Sequence, residues 1–169
     1  ASKALQLVMQ PAITFGVTMA TYCGQNLGAG EIGRIKKGIK TAIGMAWIWC
    51  IGVIIVTNLF APAMISMLTS STKTEVVDTA SLYLRINTTL YFVTAMITII
   101  RNSMQGIGDR VTPIISSMIE LVGKVVIVIV LVPKLGYMGV IISEPIVWVL
   151  MVIPLIVQII RTPILKEKA

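Results

Sequence analysis

Five stretches of this chain are long, apolar and almost free of charge: Ala4–Leu27, Ile39–Ala61, Ala80–Met104, Pro113–Val132 and Tyr137–Ile160. A helix rises about 1.5 Å per residue, so each stretch can cross the roughly 30 Å hydrocarbon layer of a bilayer. In lipid every backbone N–H and C=O must be satisfied within the protein, which restricts spanning segments to helices or closed barrels. The β-branched run Val125–Val132 would suggest a strand in water; inside an apolar block of helix length it reads as helix. Pro11, Gly16, Pro145 and Pro154 are tolerable in such helices, and a kink is expected in the last one. Composition agrees. The chain is 56% hydrophobic and 12% charged, with a mean hydropathy of +0.93, whereas soluble domains carry roughly 25% charge. The expected fold class is all-α: a polytopic membrane protein with five transmembrane helices. The connections, Gly28–Gly38, Ser66–Thr79, Gln105–Thr112 and Pro133–Gly136, are too short for another domain, so 1–169 reads as one helical region.

Placement of the cations sets the expected orientation. One side receives Arg34, Lys36, Lys37, Lys40, Arg101, Arg110, Arg161, Lys166 and Lys168; the other receives Lys3, Lys73, Arg85 and Lys134. The richer side is expected to be cytoplasmic, with the N-terminus outside and the C-terminus inside. Arg85 and Arg101 bracket the third span and read as interface anchors. The chain opens directly into a helix, and its span count is odd, whereas transporters are commonly built from paired repeats. No internal repeat is evident. An N-terminal partner half is therefore expected to be missing.

Two glycine motifs invite enzymatic readings, and their context excludes both. Gly28-Ala29-Gly30-Glu31-Ile32-Gly33 fits a dinucleotide fingerprint, which requires a preceding strand and an acid about 20 residues on. Here a helix-length block precedes it, and Val53-Ile54-Ile55 stands where the acid should be. Gly24, Gly28 and Gly30 instead read as helix-ending glycines, Gln25 and Asn26 as partners for loose carbonyls, and the following lysines as headgroup anchors. Gly106-Ile107-Gly108-Asp109 matches an intramembrane aspartyl protease element, but that chemistry needs a second carboxylate, and Asp78 falls on the opposite face. A polar turn is the better reading. With no histidine and no CxxC, no metal site is expected, and Cys23 and Cys50 read as small packing residues. The +7 net charge is a topology signal in a membrane protein rather than a mark of nucleic-acid binding.

Ionisable residues at membrane depth carry the functional information, because each costs roughly 2.5–3.5 kcal/mol on insertion scales. Glu120 and Lys124 stand four apart on one helix face. They are either a neutralised packing pair or a cation-responsive carboxylate held by a lysine. Glu144, before Pro145, either snorkels outward or lines a cavity. Asn87, Thr94, Thr98, Asn102 and Gln105 make a polar stripe on the third span, suited to helix packing or to a transport cavity.

Several of these segments, taken in order, resemble the multidrug and toxic compound extrusion (MATE) family. Tyr22 to Gly30 with Arg34-Ile35-Lys36-Lys37-Gly38 resembles the turn after the second helix of each half. Arg101 to Asp109, followed by Pro113, is similar to the turn between the fourth and fifth helices. Ile119-Glu120-Leu121-Val122-Gly123-Lys124 resembles its Glu-Leu-x-x-Arg stretch, with Lys124 in the arginine's place. Leu135 to Val140 and Glu144 to Trp148 resemble its final turn and last helix. The resemblance runs from about Gln6 to Ile160. It implies helices eight to twelve of a twelve-helix transporter, part of a MATE-type six-helix bundle in a bacterial cytoplasmic membrane. It implies export of organic cations against H+ or Na+ entry, with no cofactor or nucleotide, and membrane lipids and the missing half as partners. A flippase of lipid-linked sugars and an inactive truncated fragment are the alternatives. Some family members couple through an acid in the seventh or tenth helix. Ala80–Met104 has none, which leaves Glu120 and Glu144 as coupling candidates.

Overall fold

The computed structural model describes residues 2–69 and 74–162. Within them the chain forms six helices: α1 (Ser2–Gly28), α2 (Ile32–Thr69), α3 (Thr74–Thr89), α4 (Tyr91–Gly106), α5 (Val111–Leu135) and α6 (Tyr137–Arg161). Three are long and apolar enough to cross a membrane alone, over Ile32–Met67, Val111–Leu135 and Met138–Arg161; α3 and α4 pass that test as a pair bent by 51°. α1 has the length, at 27 residues, but its glutamines and threonines make it more polar than α2, α5 or α6. Its threonines turn inward on the helix itself: Thr14 and Thr18 hydroxyls donate to the carbonyls of Gln10 and Thr14, which removes the penalty of exposing them to lipid.

The elements correct several expected boundaries. The basic run Arg34–Lys40 belongs to the first turns of α2, not to a connection, and only Ala29–Glu31 link α1 to α2. α2 extends beyond Ile39–Ala61 at both ends, and α5 runs on through Pro133 to Leu135. The third span is broken at Leu90. Asn87, Thr88 and Thr89 all bond back to carbonyls one turn earlier, on Tyr83, Leu84 and Arg85, and the Arg85 carbonyl receives two hydroxyls. Side-chain donors that compete for helix carbonyls bend a helix, and three in succession end this one.

The α1–α2 and α4–α5 turns are built alike. At Gly30 (φ 75°) and Gly108 (φ 88°) the backbone enters the left-handed region that glycine alone occupies without strain. The glycine N–H bonds three residues back, Gly30 to Leu27 and Gly108 to Gln105. The next N–H bonds five back, Glu31 to Asn26 and Asp109 to Met104. This is the Schellman motif, which satisfies the loose carbonyls of a helix end. Gly24 and Gly28, expected to end the helix, lie within α1 instead, as Gly106 does within α4.

α1 and α4 approach closely because their facing residues are small. A side chain on Gly16 would stand 2.7 Å from the Thr98 methyl, and one on Gly106 would overlap the Ala20 carbonyl. Gly16, Ala20 and Gly24 against Thr98, Asn102 and Gly106 give the small-residue seam that lets membrane helices pack without a hydrophobic driving force. The main core joins α1, α2, α4 and α6 around Met19, Cys23, Cys50, Tyr91, Met104 and Met151. A smaller cluster of Ala61, Ile65, Tyr83, Leu84 and Ile141 lies on the other side of the bend.

Candidate functional site

Glu120 lies on α5, twelve residues after Gly108, and Arg101 lies on α4, seven residues before it. The two positions are not level across the turn, and the long arginine and glutamate side chains close the offset. Arg101 Nη1 stands 3.7 Å from Glu120 Oε2, and Lys124 Nζ stands 3.0 Å from Glu120 Oε1. Arg101 also donates through Nη2 to the Ser117 hydroxyl, which in turn donates to the Pro113 carbonyl at 2.9 Å. Glu120 thus holds two cations, one from each helix of the hairpin. All three charged side chains are partly buried, at 28% (Arg101), 34% (Glu120) and 42% (Lys124) exposed. Arg101, expected to anchor at the interface and counted with the turn residues, instead lies within α4 and ties it to α5.

Beside this triad is a cavity of about 280 Å3. Glu120 and Lys124 reach it from α5, Glu144 and Trp148 from α6, Thr94 from α4, Tyr83 from α3, and Gln6 and Met9 from α1. The buried Tyr83 hydroxyl donates to Glu144 Oε2 at 3.2 Å. Thr94 Oγ1 is buried without a hydrogen-bond partner among the described residues. The lining therefore carries two carboxylates and one ammonium, with the Arg101 guanidinium on Glu120 behind it and a hydroxyl available as a further ligand. Glu120 is already paired, and Glu144, which has no ion pair among the described residues, is the carboxylate left to attract a small cation.

The structure divides the expected polar stripe. Only Thr94 joins the cavity. Thr98 and Asn102 face Gly16 of α1 and bond back along α4, to the carbonyls of Thr94 and Thr98. Asn87 is fully buried beyond the bend and donates to the Tyr83 carbonyl. Gln105 lines a separate cleft with Arg110 and Ser117 at the helix ends. Asn26 does satisfy a carbonyl, that of Tyr22 at 2.8 Å, while Gln25 opens onto a groove beside α2.

Arg85, expected as an interface anchor, also ties α3 to α2. Pro62 has no N–H to give the Asn58 carbonyl one turn back, and Arg85 Nη2 donates to that carbonyl at 3.2 Å. Asp109 accepts from the N–H groups of Val111 and Thr112, the Thr112 hydroxyl and Gln158 Nε2. It caps α5 and ties the end of α6 to the α4–α5 turn. Partial burial pushes its carboxyl up, but the hydrogen bonds from Thr112, Gln158 and Val111 outweigh that and hold it below the ordinary carboxylate value. The Asp109–Gln158 bond and the Gly24–Gly106 contact bring the ends of α1, α4 and α6 together. Arg34, Lys36, Lys37, Lys40, Arg110 and Arg161 therefore share one end of the bundle. Lys134 is at the other, and Lys3, Lys73, Lys166 and Lys168 have side chains outside the described residues.

Tyr83 is not evident from the sequence as a site residue, and Arg101 stands out there only as part of the turn motif. Tyr83 is 61 positions from Glu144, and no local pattern links them. Arg101 lies seven residues before Gly108 and Glu120 twelve after it, so sequence spacing does not pair them either.

In comparisons with known proteins, the family model MatE matches residues 1–131. No curated protein and no solved structure matches the chain.

Proposed function

Because the chain belongs to the MatE family of transporters, we propose that it is part of a cation-coupled antiporter that exports organic cations by alternating access. The observation that carries this reading is the shared cavity, where Glu120, Glu144, Lys124 and Thr94 meet from three helices. In the proposed cycle, H+ or Na+ neutralises Glu120 and frees Arg101 and Lys124, which loosens α4 from α5. An organic cation competes for the same carboxylates, so ion and substrate occupy the site in turn. A second helix bundle, outside this chain, completes the pathway, and the two rock about the central cavity. The cation-rich end faces the cytoplasm of a bacterial cell. The two carboxylates lining the cavity favour organic cations over the pyrophosphate group that a lipid-linked sugar flippase must hold.

The test uses the whole transporter in proteoliposomes, with efflux of a cationic dye driven by an imposed pH or Na+ gradient. Glu120→Gln is expected to abolish the gradient dependence while the protein remains folded. Glu144→Gln is expected to raise KM for the dye more than it lowers the maximal rate. Unchanged efflux with unchanged ion dependence in Glu120→Gln makes the triad a packing device and ends the proposal.

A further inference from the structure

A second site follows from the seam between α1 and α2, away from the carboxylate cavity. A cleft of about 880 Å3 opens there. Its outer end is polar, with Gln25, Asn26, Arg34 and Lys37; its inner end is apolar, with Phe15, Met19 and Met45. A second cleft of about 680 Å3 shares Phe15 and Met45 and continues past Trp49 and Val56. The shared residues make the two a single slot. From Lys37 to Val56 it follows α2 for about 30 Å, and one acyl chain needs about half the hydrocarbon thickness.

The polar mouth is held in shape. Gly38 has no side chain, and the Tyr22 ring occupies the space that one would take. The Tyr22 hydroxyl donates to the Arg34 carbonyl at 3.3 Å. That contact fixes the first turns of α2 against α1 and sets Arg34 and Lys37 over the cleft. Two cations of the first turns of α2, Arg34 and Lys37, line this mouth, with one carboxylate, Glu31, beside them. Glu31 pairs with Arg34 at 3.7 Å, and both are more than half exposed. Such a pair is weak, and a phosphate can replace the carboxylate.

We infer that this seam binds an anionic phospholipid, its phosphate at Arg34 and Lys37 and one acyl chain against Phe15, Met19 and Met45. Charge complementarity selects the headgroup, and the continuous apolar slot selects a lipid over a free anion. Basic pockets between membrane helices recognise anionic lipids on this principle. The inference is independent of the coupling mechanism proposed above.

The experiment is native mass spectrometry of the full-length protein, with phosphatidylglycerol or phosphatidylcholine added to the detergent. Phosphatidylglycerol is expected to be retained in preference. The double variant Arg34→Ala/Lys37→Ala is expected to weaken its retention about thirtyfold, at two headgroup charges removed. Thr41→Trp, exposed and lining the cleft, is expected to weaken it without any change of charge. Arg110→Ala/Arg161→Ala removes two cations from the same end but outside the cleft, and is expected to leave retention unchanged. Equal retention of the two lipids overturns the proposal. So does an equal loss in the Arg110/Arg161 control, which describes a diffuse basic belt. Displacement of the lipid by inorganic phosphate describes a free-anion site and overturns it as well.

Discussion

Asp109 does three jobs with one carboxylate: it caps α5, receives the Thr112 hydroxyl and tethers α6 through Gln158. Replacing a capping residue by alanine costs about 1 kcal/mol, so Asp109→Ala is expected to lower the thermal midpoint, read by intrinsic tryptophan fluorescence in detergent. Its carboxyl is held below the ordinary value when folded, so the charged form contributes stability at neutral pH. That contribution is expected to shrink as pH falls below about 4 and to vanish below the depressed folded value. The gap in midpoint between wild type and Asp109→Asn should accordingly close in acid; a gap that widened there would contradict the assignment. At this scale the sequence was informative wherever partners are close along the chain. The Glu120–Lys124 pair is visible as a spacing of four. Tyr83–Glu144 joins residues on different helices, and only the packing of α3 on α6 creates it.

Among the elements, the most exacting contact is the one that repairs a proline. Arg85 of α3 gives the Asn58 carbonyl of α2 the donor that Pro62 withholds. Arg85→Ala is expected to cost roughly 1 kcal/mol. In a Pro62→Ala background, where the helix supplies its own donor, the cost should fall by more than half, and a double-mutant cycle measures the difference. Additive effects would show that Arg85 acts elsewhere. The α1–α4 seam is equally specific. Gly106→Val places a branched side chain against the Ala20 carbonyl and is expected to cost about 1–3 kcal/mol by overpacking, with a lowered thermal midpoint as the readout. The helices were legible because each needs a long apolar run. The bend at Leu90 was not, since apolarity continues across it and the break comes from three polar side chains competing for carbonyls. Nor were the true helix starts, because Arg34–Lys40 looks like a loop by charge yet sits comfortably in the first turns of a helix.

Seen whole, the molecule is sorted along its axis, with cations gathered at the end that holds both glycine turns. In a chain with Cys23 and Cys50 replaced by serine, Ala29→Cys and Arg110→Cys are expected to react with a membrane-impermeant maleimide from one side of the membrane. Lys134→Cys is expected to react from the other. Labelling of all three from one side would refute the arrangement. The family was readable from short ordered motifs. The cavity was only half readable, because Glu120, Lys124 and Glu144 announce themselves by being charged at depth, whereas what they face depends on how five helices meet. The repeated turn escaped notice because it is a likeness of backbone more than of side chains: Gly28-Ala29-Gly30-Glu31 and Gly106-Ile107-Gly108-Asp109 share only their glycines and an acid. Its consequence concerns assembly. A helical hairpin whose bend already satisfies its own carbonyls needs no water at its tip and only local contacts to form. α1–α2 can therefore enter the bilayer as a finished unit, whereas the α4–α5 turn forms first and its two helices then find their main partners, α4 on α1 and α5 on α6.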